Sequence, residues 1–167
     1  MSKFFSKSKF RTVLFAFLFC FAAPSIAHAG GQVPFRASYN LELVADIVGP
    51  IATVTSEGSA LVSHLGAVRA NSISETVNLA TGVGIAVHQF TAANGDTIRI
   101  GFQFLALPTP AGFEVSGEWE ILSGTGRFTG ATGSGSYSGD VAFTSPVTAL
   151  GTFELLGTIS SPGSLKK

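Results

Sequence analysis

Apolar and polar residues alternate along several segments of the chain. In each segment apolar residues occupy every second position, and polar residues or glycine lie between them. A period of two with one apolar face is typical of antiparallel strands that are buried on one side. The two clearest apolar sets are Ile98, Ile100, Phe102 and Phe104, and Phe113, Val115, Trp119 and Ile121. No segment shows a sustained helical period, so we expect no helix of three turns or more in residues 33–160.

Turn-forming residues divide the chain at regular intervals. Asn94-Gly95 is a strong hairpin signal, because a type I′ turn needs positive φ at both central residues. A loop with Pro108 and Pro110 is predicted over 107–112, and a glycine-rich connection over 123–133. The predicted strands are 35–47, 51–63, 67–78, 83–93, 97–106, 112–122, 133–143 and 147–159.

Eight sequential strands with short connections predict an all-β fold, an antiparallel up-and-down barrel, because closure leaves no exposed strand edge. A two-sheet sandwich is the alternative. In a barrel exposed to water the apolar faces must point inward, since an exposed apolar band of this size would aggregate. We therefore expect the lumen to be lined by Ile98, Ile100, Phe102, Phe104, Phe113, Val115, Trp119 and Ile121.

The N-terminus has the pattern of a secretory signal peptide. Four basic residues lie within the first eleven positions, and an apolar run over 13–23 follows. That run is shorter than the roughly 20 residues that a spanning helix needs. Ala27-His28-Ala29 matches a cleavage site, which predicts a signal peptide at 1–29, cleavage after Ala29 and one barrel domain at 30–167. The mature protein would be secreted or periplasmic and would keep no membrane span.

Charge and cysteine content narrow the function further. Residues 30–167 hold six basic and ten acidic side chains, a formal charge of −4, which argues against a nucleic-acid-binding protein. The one cysteine, Cys20, falls in the predicted signal peptide, so we expect neither a disulfide nor a cysteine metal site. No cofactor motif is present: the Gly124–Gly139 glycine pattern has the wrong spacing for a nucleotide loop, and no helix is predicted after it.

The segment 124–133, with the sequence GTGRFTGATG, resembles the glycine-rich segment of the allene oxide cyclase barrel superfamily, which includes the plant dirigent proteins. The residues that carry the likeness are Gly124, Gly126, Arg127, Phe128, Gly130 and Gly133. Segments 63–66, 94–96 and 157–163 are similar to small secreted bacterial proteins with the same segment. The resemblance implies an eight-stranded barrel with an apolar lumen that binds hydrophobic molecules and in some relatives directs cyclisations. It assigns no catalytic residue.

Few side chains are candidates for chemistry. His64 and His88 could hold a metal only with a carboxylate nearby, and turn and surface roles are expected for both. Glu114, Glu118 and Glu120 share one strand face, for which we expect a solvated outer wall.

Three functions remain open. The first is a barrel that binds a small apolar ligand in its lumen, as a monomer or an oligomer. The second is an isomerase or cyclase in the same lumen, which would need inward polar groups; the candidates are Tyr39, Asn40, Gln103, Glu114 and Tyr137. The third is an outer-membrane or purely structural barrel.

Overall fold

Eight antiparallel strands and one turn of 3-10 helix make up the computed structural model, which describes residues 31–160. The elements are β1 (Gln32–Val48), β2 (Ile51–Val62), β3 (Gly66–Asn78), β4 (Val83–Ala92), β5 (Thr97–Thr109), β6 (Gly112–Gly124), the 3-10 turn η1 (Gly126–Phe128), β7 (Gly133–Phe143) and β8 (Thr148–Ser160).

The strands close into a single barrel. Each strand pairs with the next, and β1 also pairs with β8 from Gln32↔Ser160 to Val44↔Thr148. The predicted all-β antiparallel barrel is confirmed, and the two-sheet sandwich is excluded. The predicted absence of long helices also holds within residues 33–160. The predicted signal peptide and its cleavage site at Ala29 lie outside the described residues.

One predicted loop is wrong. Residues 107–112 were expected to form an irregular loop, but β5 continues to Thr109 and β6 begins at Gly112, so only Pro110 and Ala111 form the turn. The strand accommodates Pro108 because β4 begins at Val83, which lies opposite Leu105. Beyond that point β5 has a neighbour on one side only, and a missing N–H can be tolerated there.

The two ends of the barrel differ. The β2–β3 and β4–β5 turns and the η1 connection lie at one end, which we call the closed end because Leu65 and Phe128 are buried there. The other four turns surround the opposite end, which we call the open end. They span 49–50, 79–82, 110–111 and 144–147. Within residues 31–160 no helix is long and apolar enough to cross a membrane.

A β-bulge interrupts the alternation of β3. Ser72 pairs with His88 and Ser74 pairs with Val87, so Ile73 is an extra residue with no partner on β4. The pairing of β3 with β2 shifts by one residue in the same region. An unpaired residue reverses which positions of a strand point inward. Before the bulge the even-numbered residues of β3 face the lumen, and after it the odd-numbered residues do.

Candidate functional site

An apolar cavity of about 170 Å³ lies at the open end of the barrel. Its wall comes mainly from the inward faces of the strands, together with side chains of the β7–β8 turn. The apolar lining includes Leu43, Ala52, Val77, Phe104, Ala106, Phe113, Val115, Val141, Phe143, Val147, Ala149 and Phe153. Among all the lining residues, Glu75 alone carries an ionisable carboxyl group, and Tyr137 contributes a phenol.

Glu75 reaches this wall because of the bulge in β3. It pairs with Ala86, an inward residue of β4, and lies two positions before the buried Val77. Without a bulge, alternation from the inward Val68 and Ala70 would turn position 75 toward solvent. The side chain is about nine-tenths buried, so the carboxyl group needs partners inside the barrel.

Two side chains contact the same oxygen of Glu75. The Nε2 atom of His88 lies 3.1 Å from Oε2, and the hydroxyl of Ser56 donates to Oε2 at 3.4 Å. All three residues are buried, and they come from the three adjacent strands β2, β3 and β4. The position of Ser56 is fixed by Ser72, whose Oγ accepts the backbone N–H of Ser56 at 2.8 Å. Neither contact uses Oε1 of Glu75.

Aromatic rings surround this polar group on its inner side. The His88 ring lies 4.9 Å from that of Phe102, and Tyr137 lies 4.8 Å from Phe102 and 5.6 Å from Phe153. Tyr39 contacts His88 edge-on, with ring centroids 6.1 Å apart. The carboxyl–imidazole pair therefore lies in an apolar environment in which charge is poorly screened.

Two tyrosines, Tyr39 and Tyr137, also place phenol groups inside the lumen. Burial raises the pKa of Tyr39 well above its usual value, and the nearby Tyr137 and Glu75 raise it further. Burial also raises the pKa of Tyr137, with a further contribution from the charge of Glu75. The Tyr39 hydroxyl and the Nδ1 atom of His88 are buried without a hydrogen-bond partner. Both phenols are therefore neutral at physiological pH, and two buried polar atoms lack partners.

The residues expected to line the lumen lie on the inner wall, but only three of them border the cavity. Phe104, Phe113 and Val115 do so. The other five pack deeper in the barrel. Ile121 is half-buried there, and the four buried residues are Ile98, Ile100, Phe102 and Trp119.

Other expectations for polar residues need correction. Asn40, Gln103 and Glu114 were candidate inward groups, but all three are exposed because each occupies an outward position of its strand. Of those candidates, only the two tyrosines point inward. The surface role expected for His88 is also wrong, since it pairs with inward residues and is 2% exposed.

The remaining candidates lie on the outside. His64 is in the β2–β3 turn with a φ of 67°, and its Nε2 lies 3.0 Å from the carbonyl oxygen of Pro34. Glu114, Glu118 and Glu120 are exposed on the outer wall of β6. Within residues 31–160 no three His, Cys, Asp or Glu side chains are grouped to hold a metal ion.

Sequence reasoning missed Glu75 and Ser56. The available signal was the spacing within β3: Val68 and Ala70 share one parity, whereas Val77 has the other. A change of parity between apolar residues of one strand indicates a bulge, and a bulge would have turned Glu75 inward.

The glycine-rich segment lies at the closed end, opposite the end that holds the cavity. Gly124 and Gly133 end β6 and begin β7, and Gly126 and Gly130 have φ values of 58° and 72°. Phe128 is fully buried, while the adjacent Arg127 lies outside, with Nε 3.6 Å from Oδ2 of Asp96. The segment therefore caps the barrel, with Phe128 inserted into the core.

Comparison with known proteins gives a likeness of fold. No protein-family model matches the chain, and no curated protein matches its sequence. Among solved structures, a pterocarpan synthase dirigent protein is similar, with a TM-score of 0.50 and 13% identity, over 86% of this chain and 98% of the other. At that identity the likeness concerns the fold alone. The chain thus has an eight-stranded β-barrel fold like that of this dirigent protein, the fold that its glycine-rich segment implies.

Proposed function

We propose that this barrel binds a small, mainly apolar molecule that carries one hydrogen-bonding group. The observation that supports the proposal is the combination of an apolar cavity with a single carboxyl group, that of Glu75, in its wall. Binding sites for small molecules are commonly apolar, with a few polar groups that fix the orientation of the ligand. Oε1 of Glu75, which neither His88 nor Ser56 contacts, is the acceptor for that group.

The size of the cavity limits the ligand. An engineered protein cavity of about 150 Å³ takes up benzene, so a cavity of about 170 Å³ holds roughly one ring or a short branched chain. A larger ligand would project through the open end.

The proposal can be tested with a cavity-filling substitution. Ala106→Leu adds volume inside the cavity, whereas Ala142→Leu adds the same volume on the exposed face of β7. The neutral fluorescent probe 1-aminoanthracene has three fused rings, so part of it would project through the open end. We expect the inward substitution to weaken binding of this probe and the outward control to leave it unchanged. Native mass spectrometry of protein purified from its source should also reveal a retained ligand. Equal probe binding by both variants would refute a lumenal site.

A second candidate function is proton-transfer catalysis, as in an isomerase or cyclase. The contact between Glu75 and His88 favours it, because a buried carboxylate held by an imidazole can accept a proton from a bound molecule. The shared fold with a dirigent protein whose name describes a synthase agrees with this alternative.

A deuterium-exchange experiment in heavy water distinguishes the two functions. The ligand released from the purified protein is incubated with the native chain and with Glu75→Gln. Catalysis predicts that deuterium enters a carbon position of the ligand with the native chain only, while both proteins still bind it. A protein that only binds the ligand would give no exchange with either the native chain or the variant.

We also propose that the barrel acts after export, as the N-terminal pattern predicts.

A further inference from the structure

The four turns at the open end contain no charged residue. Residues 47–52, 78–83, 106–113 and 142–149 contain neither acidic nor basic side chains, and no histidine. The closed end is different, since its turns hold His64, Asp96 and Arg127. The absence of charge is therefore a property of one end of the barrel, the end with the cavity mouth.

Large apolar side chains at these turns are exposed to solvent, and we call them the rim. Exposed apolar groups that cluster in one place mark a surface that contacts something else. The rim residues are Val48, Leu79, Val83, Leu107, Phe143 and Val147.

We infer that the rim docks on the surface of a neutral lipid bilayer, with the turns inserted among the lipids and the cavity mouth facing the acyl chains. The charge distribution selects this partner. An anionic membrane is held by lysine and arginine near its surface, and the rim has neither. The nearest charges on the outer wall, Asp46, Glu114 and Asp140, are all acidic and would repel anionic headgroups.

The geometry of the open end favours lipid over a second copy of the chain. Four separate turns surround an opening, so two copies facing each other would enclose an empty apolar space. Lipid can fill that space, because acyl chains adapt to its shape. The barrel is closed, and the stretch of β5 that extends past Val83 is short and contains Pro108, so it is a poor edge through which copies could pair.

Charged residues limit how far the barrel can insert. Glu42, Glu57 and Glu118 lie on outward positions in the middle of their strands. Charged groups on a lipid-facing wall are costly near the centre of a bilayer. The contact is thus confined to the rim, as for other proteins that lie in the interface.

This arrangement extends the proposed function. A ligand in the cavity and an acyl chain in the bilayer would occupy one continuous apolar space, so an apolar molecule could pass between them without crossing water. The docking itself needs no ligand, so it can be tested independently of ligand binding.

The test is flotation of residues 30–167, which include all eight strands, with phosphatidylcholine vesicles. The rim variant is Val48→Asn with Leu107→Asn, two residues that are 74% and 50% exposed and do not line the cavity. The matched control is Leu61→Asn with Leu156→Asn, which are 67% and 48% exposed in the closed half of the barrel. We expect the rim variant to bind vesicles at least about tenfold more weakly than the native chain, because two apolar side chains no longer enter lipid. The control should bind like the native chain.

The inference is overturned if the native chain does not bind these vesicles, if both variants lose binding equally, or if binding is stronger when phosphatidylglycerol is added. A dimer in solution that dissociates in the rim variant would likewise assign the rim to self-association. Binding of 1-aminoanthracene is measured on the same variants. If the rim variant no longer binds vesicles but still binds the probe, docking is lost while the cavity is intact. The test of docking is thus separate from the test of ligand binding.

Discussion

Nε2 of His88 lies 3.1 Å from Oε2 of Glu75 inside the barrel, next to the bulge at Ile73. The two residues come from neighbouring strands, and both point into a lumen that is otherwise almost entirely apolar. Burial of a carboxyl group is costly unless it is paired. The pair therefore places a carboxyl group at the cavity wall with a limited loss of stability.

Replacing one member of the Glu75–His88 pair should lower the free energy of unfolding more than replacing both. We expect His88→Phe to lower the free energy of unfolding by about 1–3 kcal/mol, because the carboxyl group loses a buried hydrogen-bond partner. The double variant Glu75→Leu with His88→Phe should regain most of that loss. Urea unfolding of the native, single and double variants measures both values. Additive losses in the double variant would show that the contact is not energetically coupled.

The inner and outer walls should respond differently to substitution. Phe102 is 2% exposed and packs against His88 and Tyr137, so Phe102→Ala should cost about 3–5 kcal/mol. Glu118 is exposed on the outer wall, so Glu118→Gln should change stability by no more than about 0.5 kcal/mol. Denaturant melts of the two variants provide the comparison. A larger effect of Glu118→Gln would contradict the assigned orientation of the wall.

The tyrosines should make stability fall in alkali. The chain has two tyrosines, and burial raises the pKa of both in the folded state. Above pH 10 the unfolded chain loses both protons while the folded chain keeps them. Stability should then fall by about 2.7 kcal/mol per pH unit, and be unaffected by these groups below about pH 9.

Absorbance at 295 nm should accordingly show no tyrosinate until the barrel unfolds. In Tyr137→Phe the slope of stability against pH should be half as steep. Titration of a tyrosine in the folded protein near pH 10 would disagree with burial of both rings.

Gly157 should not tolerate a side chain. A Cβ atom there would meet the carbonyl oxygen of Ser134 and lie 2.7 Å from the Trp119 ring. Gly157→Ala should therefore lower the melting temperature markedly. Gly101→Ala is the control within a strand, because its Cβ would meet only the exposed side chain of Leu122 at 3.2 Å. Similar melting temperatures for the two variants would refute the close approach of β7 and β8 beneath Trp119.

Export should remove the first 29 residues. The charged N-terminus, the short apolar run and Ala27-His28-Ala29 predict a mature protein that begins at Gly30. Intact mass measurement of the exported protein should match residues 30–167. An exported form that retains residues 1–29 would contradict the prediction.

The sequence by itself determined the strands and the barrel class. Alternation of side chains is a local property of a strand, so the inward faces of β5 and β6 can be read from the sequence without knowledge of their partners. Turn residues such as Asn94-Gly95 are also local signals. The β5–β6 loop was predicted wrongly because tolerance of Pro108 depends on where the neighbouring strand β4 begins.

Only the tertiary structure decided which polar groups meet. Ser56, Glu75 and His88 lie on three strands, and their approach depends on the register between those strands and on one unpaired residue, Ile73. A shift of one residue reverses the face on which every later side chain lies. The difference between the open and closed ends also depends on the tertiary structure, because the closed barrel determines which turns lie together at each end.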